Sequence, residues 1–340
     1  MFAAKSLTFQ RVASTLPRME NTLSAMAIHA GLVVLSIVML WKGADYFVES
    51  AAKIARRFGI SELVIGLTLV ALGTSAPEFA VSIGAALDGL DDISVSNIVG
   101  SNIFNLGIIL GGTAMIRPLT TTRDVVVRDG AVLIGVAALV VGLLFDLTLS
   151  RFEGLMMLSL LGFYIFILFR ESRAGRSEPD KEEGADGEQA RPKDVLVCLL
   201  GLSFILWGSE ILVESASAIA RSVGMSEWVI GLTIVAAGTS TPEAVTSLMA
   251  AFRGRFGMSA GTLIGSDLYN ILGVLGAASA IRPLTIDASA QPSLWLLLFG
   301  IVAVVVAMRT GWKVSRAEGG VLVSIALARW GFEIWGSSMI

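Results

Sequence analysis

Cysteine and histidine are almost missing from these 340 residues, which contain one of each, Cys198 and His29. A single cysteine excludes an intrachain disulfide and any cysteine-built metal cluster, and a single histidine argues against a zinc site or a histidine proton relay. Both are read as packing positions. Charge is scarce as well. Only 16% of the residues are Asp, Glu, Lys or Arg, and a net charge of −3 is too small to argue for nucleic acid or another charged partner. Apolar residues fill the space instead, at 54% of the chain with a mean hydropathy of +0.77. These values exclude the ordinary globular and disordered classes and fit an all-α polytopic membrane protein.

Apolar segments recur at about 25–47, 62–87, 94–116, 125–146 and 151–170, then at 194–213, 227–252, 258–281, 291–309 and 317–339. Each is about long enough to cross a bilayer as a helix, which predicts ten transmembrane helices. Residues 1–24 carry Lys5, Arg11 and Arg18 against one acid, Glu20. They read as a targeting-like leader without a clean cleavage site, or as a start placed too early, with Met19 or Met26 the real one. Residues 171–194 are polar and charged, with Gly175, Gly184 and Gly187. They read as a flexible linker between a first unit, 25–170, and a second, 195–340.

The two units are copies. One offset of 165 residues aligns Glu78 with Glu243, Gly43 with Gly208 and Asn105 with Asn270, and carries IRPLT at 116–120 onto 281–285. Five spans is an odd number, so the copies must sit in the membrane with opposite orientations, the inverted-repeat plan of secondary transporters. Lys53, Arg56, Arg57, Arg117, Arg123, Arg128, Arg253, Arg255, Arg309, Lys313 and Arg316 all fall on the side of the linker, which makes that side cytoplasmic and turns both termini outward. The basic leader argues against this topology.

The chain is organised around GLTLVALGTSAPE, Gly66 to Glu78, which returns as GLTIVAAGTSTPE, Gly231 to Glu243. Each copy puts a carboxylate straight after a proline inside a long apolar segment. A charge near the bilayer centre costs about 2.5–3.5 kcal/mol on insertion scales and must find a partner. Proline removes an N–H and clashes with the carbonyl four residues back, so each helix should break and leave the Ala71, Gly73 and Thr74 carbonyls free. Such carbonyls are tolerated only when buried in protein or lining a hydrated cavity.

GSNIFN at Gly100–Asn105 and GSDLYN at Gly265–Asn270 complete the constellation. Ser101 and Asn105 are four residues apart and share a helix face, as do Ser266 and Asn270. The donors are therefore two Glu carboxylates, two Asn amides, the hydroxyls of Thr74, Ser75, Thr239, Ser240, Ser101 and Ser266, and loosened carbonyls, all of them oxygen. Oxygen ligation argues against zinc, copper and nickel. Calcium accepts six to eight oxygens in flexible geometry, whereas magnesium holds its waters. Two glutamates neutralise one divalent cation, or could be shared among monovalent ions. If either load fills the site and both cannot, transport of one is tied to the other.

These paired blocks resemble the two alpha repeats of the sodium/calcium exchanger superfamily of cation/calcium antiporters, and the resemblance covers the chain from about residue 25. It implies ten helices in an inverted repeat and a central calcium site at Glu78, Asn105, Glu243 and Asn270. Carbonyls of Thr74 and Thr239 would also coordinate calcium. Ala71, Ser75, Ser101, Ala236, Ser240 and Ser266 would fall at flanking sodium sites. Ca2+ and Na+ are then substrates, no cofactor is required, no enzyme activity is expected, and the protein works as a monomer in a bacterial inner membrane.

Microbial relatives often have an acid where this chain has Asn270, and here the acid lies one turn earlier, at Asp267, in place of Asn102 of the first copy. Whether Asp267 faces the ion or a neighbouring helix is open from sequence; the expectation is a share in binding monovalent ions. Proton-driven or potassium-dependent calcium exchange, and a channel, are the alternatives within transport. An intramembrane protease is the alternative outside it, weakened by the lack of histidine at the carboxylates. Asp45 and Glu49, aligned with Glu210 and Glu214, are expected to be interfacial caps. Arg329 and Glu333 should pair with each other inside the last span.

Overall fold

The structure, a computed structural model, describes residues 23–173, 191–222, 234 and 236–337. The expected leader, most of the linker and the opening of the second GLT motif lie outside the described residues. Helix α1 spans Leu23–Phe58. It is followed by a bent pair, α2 (Glu62–Thr74) and α3 (Ala76–Leu87), which meet at 50°. Then come α4 (Asp91–Ile116), α5 (Asp124–Asp146) and α6 (Arg151–Arg173). The second half contains α7 (Pro192–Ser222), the short α8 (Ala236–Thr239), α9 (Thr241–Phe252), α10 (Phe256–Ile281), α11 (Gln291–Arg309) and α12 (Arg316–Ser337).

Among the described residues, seven helices are long and apolar enough to cross a membrane, or eight if the bent pair α2–α3 counts as one span. Large apolar side chains such as Leu35, Phe166, Trp207 and Phe299 stand exposed on the outside of the bundle. A water-soluble surface would scatter such residues; a continuous apolar exterior is suited to lipid.

The two halves interlock. Helix α12 packs on the C-terminal part of α4, and α6 packs on that of α10. Two short antiparallel ribbons repeat the exchange. Leu119 pairs with Val314, and Leu149 pairs with Leu284, so β1 (Leu119–Thr120) joins β4 (Lys313–Val314) while β2 (Thr148–Leu149) joins β3 (Leu284–Thr285). The arginines of the two IRPLT segments also cross over. Arg117 donates to the carbonyls of Ala251 and Phe252 at 3.0 and 2.9 Å, and Arg282 donates to that of Ala86 at 3.1 Å. Each arginine thereby satisfies the last carbonyls of the other half's proline-led helix, α9 or α3, where a cation is also favoured by the helix dipole.

Glycine allows the closest helix crossings. A Cβ on Gly66 would stand 2.7 Å from the Met258 carbonyl oxygen, and one on Gly261 2.7 Å from that of Leu63, so α2 and α10 touch backbone to backbone. On α1, a Cβ at Gly43 would stand 2.9 Å from the Gly201 carbonyl oxygen of α7. Small residues are what membrane helices use to approach this closely without a hydrophobic driving force.

One expectation about charges changes here. Asp45 and Glu49 are not simple interfacial caps, because both are ion-paired with the second half. Arg253 Nε donates to Asp45 Oδ1 at 3.0 Å, its Nη1 reaches Glu49 Oε2 at 2.7 Å, and Arg255 Nη2 reaches the same Glu49 oxygen at 3.1 Å. Arg255 also bonds Glu62. Arg329 donates to Ser293 Oγ at 3.5 Å, and the Glu333 side chain expected to pair with it lies outside the described residues.

Candidate cation site

Proline dictates where each helix breaks. Pro77 and Pro242 occupy the first turns of α3 and α9, where a missing N–H costs nothing, and Ser75 and Ser240 sit at the break with ψ near 10°. The next residue, Glu78 or Glu243, therefore opens its helix beside the free N–H end, a favourable position for an anion. Both glutamates are buried, at 1% and 0% exposure, in the middle of the bundle.

Their hydroxyl partners come crosswise. Ser75 of the first half donates to Glu243 Oε1 at 3.0 Å, and Ser240 of the second half donates to Glu78 Oε1 at 3.1 Å. Ser266 donates to Glu243 Oε1 at 3.3 Å, and Ser101 interacts with Glu78 from α4. Thr74 is buried with its hydroxyl on the Val70 and Ala71 carbonyls, at 3.1 and 3.3 Å. Thr239 is half-buried on α8, and Ala236 opens that helix.

The expected loosened carbonyls need correction at one position. The Ala71 carbonyl is not free: it accepts the Ser75 N–H at 3.0 Å in addition to the Thr74 hydroxyl. The turn before Pro77 closes because the Ser75 N–H still reaches back four residues, so proline removes its own bond and not its neighbour's. Gly238 of the second copy has its carbonyl taken as well, by the Ser209 hydroxyl of α7 at 2.7 Å.

The two site asparagines lie where α4 and α10 widen into π-helical turns, Asn105–Leu110 and Tyr269–Leu275. A π turn inserts one residue into the helix and re-aims the side chains around it, often at functional sites. Asn105 Nδ2 donates to Asp267 Oδ1 at 3.0 Å, and Asn270 Nδ2 donates to Asn102 Oδ1 at 2.9 Å. Asn102 was not among the residues chosen from sequence. Its position, three before Asn105 and aligned with Asp267, was the available signal.

Glu78 Oε2, Glu243 Oε2, Asn105 Oδ1 and Asn270 Oδ1 are buried with no hydrogen-bond partner, and Asp267 Oδ2 shares that state. Buried oxygens in a folded protein normally find a donor. Two carboxylate and two amide oxygens, paired by the 165-residue offset, form a donor set fitted to a hard cation. Among the described residues, no three His, Cys, Asp or Glu side chains gather as a metal-binding group.

Comparison with known proteins gives the same direction. The family of the sodium/calcium exchanger protein matches residues 28–170 and 193–330. The putative antiporter CaxA of Alkalimonas amylolytica is 36% identical, over 88% of this chain and 96% of its own length. Sodium/calcium exchanger MaX1 of Methanosarcina acetivorans is 34% identical, over 87% of this chain and 96% of its own. The solved structure of the sodium-calcium exchanger NCX_Mj superposes with a TM-score of 0.77 at 28% identity, covering 89% of this chain and 98% of that one. With both halves matched and the relatives spanned almost end to end, this integral membrane protein belongs to the sodium/calcium exchanger family, a family of exchangers and not of enzymes.

Proposed function

We propose that the chain is a secondary active antiporter that exchanges Ca2+ for Na+ by alternating access. The observation that carries this reading is the set of four partnerless buried oxygens on Glu78, Glu243, Asn105 and Asn270. Two carboxylates balance one calcium ion, while the amides and the backbone carbonyls of Thr74 and Thr239 add neutral oxygens. Sodium ions would use the surrounding serines, Ser75, Ser101, Ser240 and Ser266, with the Ala236 carbonyl and, once the Thr74 hydroxyl turns away from it, that of Ala71. Every one of those serines that bonds a glutamate can turn its hydroxyl to accept a cation instead, so loading one ion rearranges the ligands of the other. The 165-residue relation among ribbons, arginine caps and serine–glutamate bonds supports ten spans arranged as two inverted five-helix repeats. On that plan the linker is cytoplasmic and the termini face outward in an inner membrane.

The test is calcium uptake into proteoliposomes under separately imposed sodium, potassium and proton gradients. Sodium alone should drive uptake; uptake that follows the proton gradient, or needs potassium, would reassign the counter-ion. Glu78→Gln and Glu243→Gln should each insert normally and nearly abolish exchange, because a neutral isostere leaves the divalent ion uncompensated. Normal rates in either variant would remove the site from consideration. Cysteine labelling within 174–190 should succeed only from the cytoplasmic side.

A further inference from the structure

Asn102 and Asp267 occupy the same place in the two halves, one helical turn before the site asparagines, and both are fully buried. An asparagine side chain is ambiguous by shape, because its nitrogen and oxygen ends are nearly identical in size and opposite in function. What surrounds it decides which end faces the ion.

The bonding pattern orients both amides. Asn105 turns its N–H2 end to Asp267 Oδ1 at 3.0 Å, an oxygen that accepts whether it belongs to the carboxylate or is the carbonyl oxygen of the protonated acid. A backbone carbonyl also only accepts, so Asn102 must turn its Nδ2 to the Asp267 main-chain oxygen, 3.3 Å away. That leaves Asn102 its Oδ1 to present across the interface, where it accepts Asn270 Nδ2 at 2.9 Å. In both cases the amide nitrogen is held by a residue of the opposite half, and the amide oxygens left over are two of the buried oxygens with no hydrogen-bond partner. The side chain and main chain of residue 267 thus orient one amide directly and the other through Asn102.

We propose that Asp267 and Asn102 are positioning residues for the cation site, each holding the nitrogen end of the other half's asparagine so that Oδ1 of Asn105 and of Asn270 is aimed at the ion. This rests on the calcium-exchange reading and adds to it the source of the amide ligands' orientation. The chemistry selected is a cation: with the same amides reversed, two N–H2 groups would face the ion and repel it.

Calcium binding to the purified full-length protein, measured by titration calorimetry, tests this without transport. Asp267→Asn and Asp267→Leu both remove the charge and have similar volume, so the difference between them isolates the acceptor. The leucine variant should bind calcium at least tenfold more weakly than the asparagine variant. If Asp267→Leu does not fold, judged by its elution as a single species, Asp267→Ala supplies the same comparison. In an Asn105→Ala background the gap should close to within twofold, since the acceptor then has no amide to orient. Asn102→Leu should likewise weaken calcium binding alone and be silent in an Asn270→Ala background. Equal affinities for the asparagine and leucine variants, or a gap that persists without Asn105, overturns the proposal and makes residue 267 act on the ion by itself. A wild-type protein that binds no calcium refutes the parent reading and this one with it.

Discussion

The two ends of the bundle are built from the same duplicated segments and are held differently. At one end, α1 is tied to the turn between α9 and α10: Arg253 holds Asp45 and Glu49, and Arg255 holds Glu49 and Glu62. Lys53 and Arg56 add longer contacts to Glu49 and Glu62, at 3.8 and 3.6 Å. Moving by 165 residues to the other end, Asp45 and Glu49 become Glu210 and Glu214, Arg253 becomes Asp88 and Arg255 becomes Leu90. The acids remain and the arginines do not. Duplication has kept what the site and the arginine caps need and released what the two mouths carry. Among the described residues, no arginine stands at the corresponding positions of the other end, where Arg282 reaches Asp91 at 3.7 Å instead.

The comparison can be broken most severely at Arg255. It and Glu62 are nearly buried, with side chains 10% and 8% exposed, and removing one partner of a buried pair strands the other. Arg255→Met should lower stability by about 3 kcal/mol, read as a fall in the unfolding temperature of the detergent-solubilised protein. Leu90→Met, its counterpart at the other end, is exposed and should change nothing measurable. A milder contrast separates the glycines of the α1–α7 contact. At Gly43 a methyl group would meet the Gly201 carbonyl oxygen at 2.9 Å, while at Gly208 the nearest atoms are side-chain carbons at 3.2 Å. Gly43→Ala should therefore cost about 1–3 kcal/mol and Gly208→Ala clearly less.

Smaller effects belong to the half-exposed pairs. Arg253→Gln should cost about 1 kcal/mol, and 1 M salt should erase most of the difference from wild type, because screening then acts within about 3 Å. Asp88→Arg places a cation where the other end has Arg253, and should raise stability by no more than about the few tenths of a kcal/mol typical of exposed pairs, read as a small upward shift in unfolding temperature. A large loss in that variant would mean the two ends differ in more than charge.

Much of the site was legible because membrane burial makes charge conspicuous. Glu78 and Glu243 stand out in apolar segments, Pro77 and Pro242 mark the breaks, and the fixed offset aligns Asn105 with Asn270. The pairings were not legible, because they join residues far apart in sequence. Nothing near Asp45 indicates Arg253, 208 residues away, and helix periodicity places Asp267 on a face without saying that Asn105 of the other half is there to meet it. The Ala71 carbonyl was misjudged for a local reason: proline abolishes one helical bond, and the residues around it can keep theirs. IRPLT served only as an alignment marker in sequence, and its arginines proved to cap helices of the opposite half.

The crosswise serine–glutamate bonds bear on how the protein is made. Glu78 takes a hydroxyl from Ser240, and Glu243 takes one from Ser75. Synthesis runs from the N-terminus, so Glu78 enters the membrane while its partner is still untranslated. For that interval Glu78 has Ser101 of its own half beside it and lacks the hydroxyl that Ser240 supplies. On the proposed site, binding competence arrives late and all at once, with the second proline-broken segment. Neither half expressed alone should retain calcium, while two halves made as separate chains in one membrane should recover it.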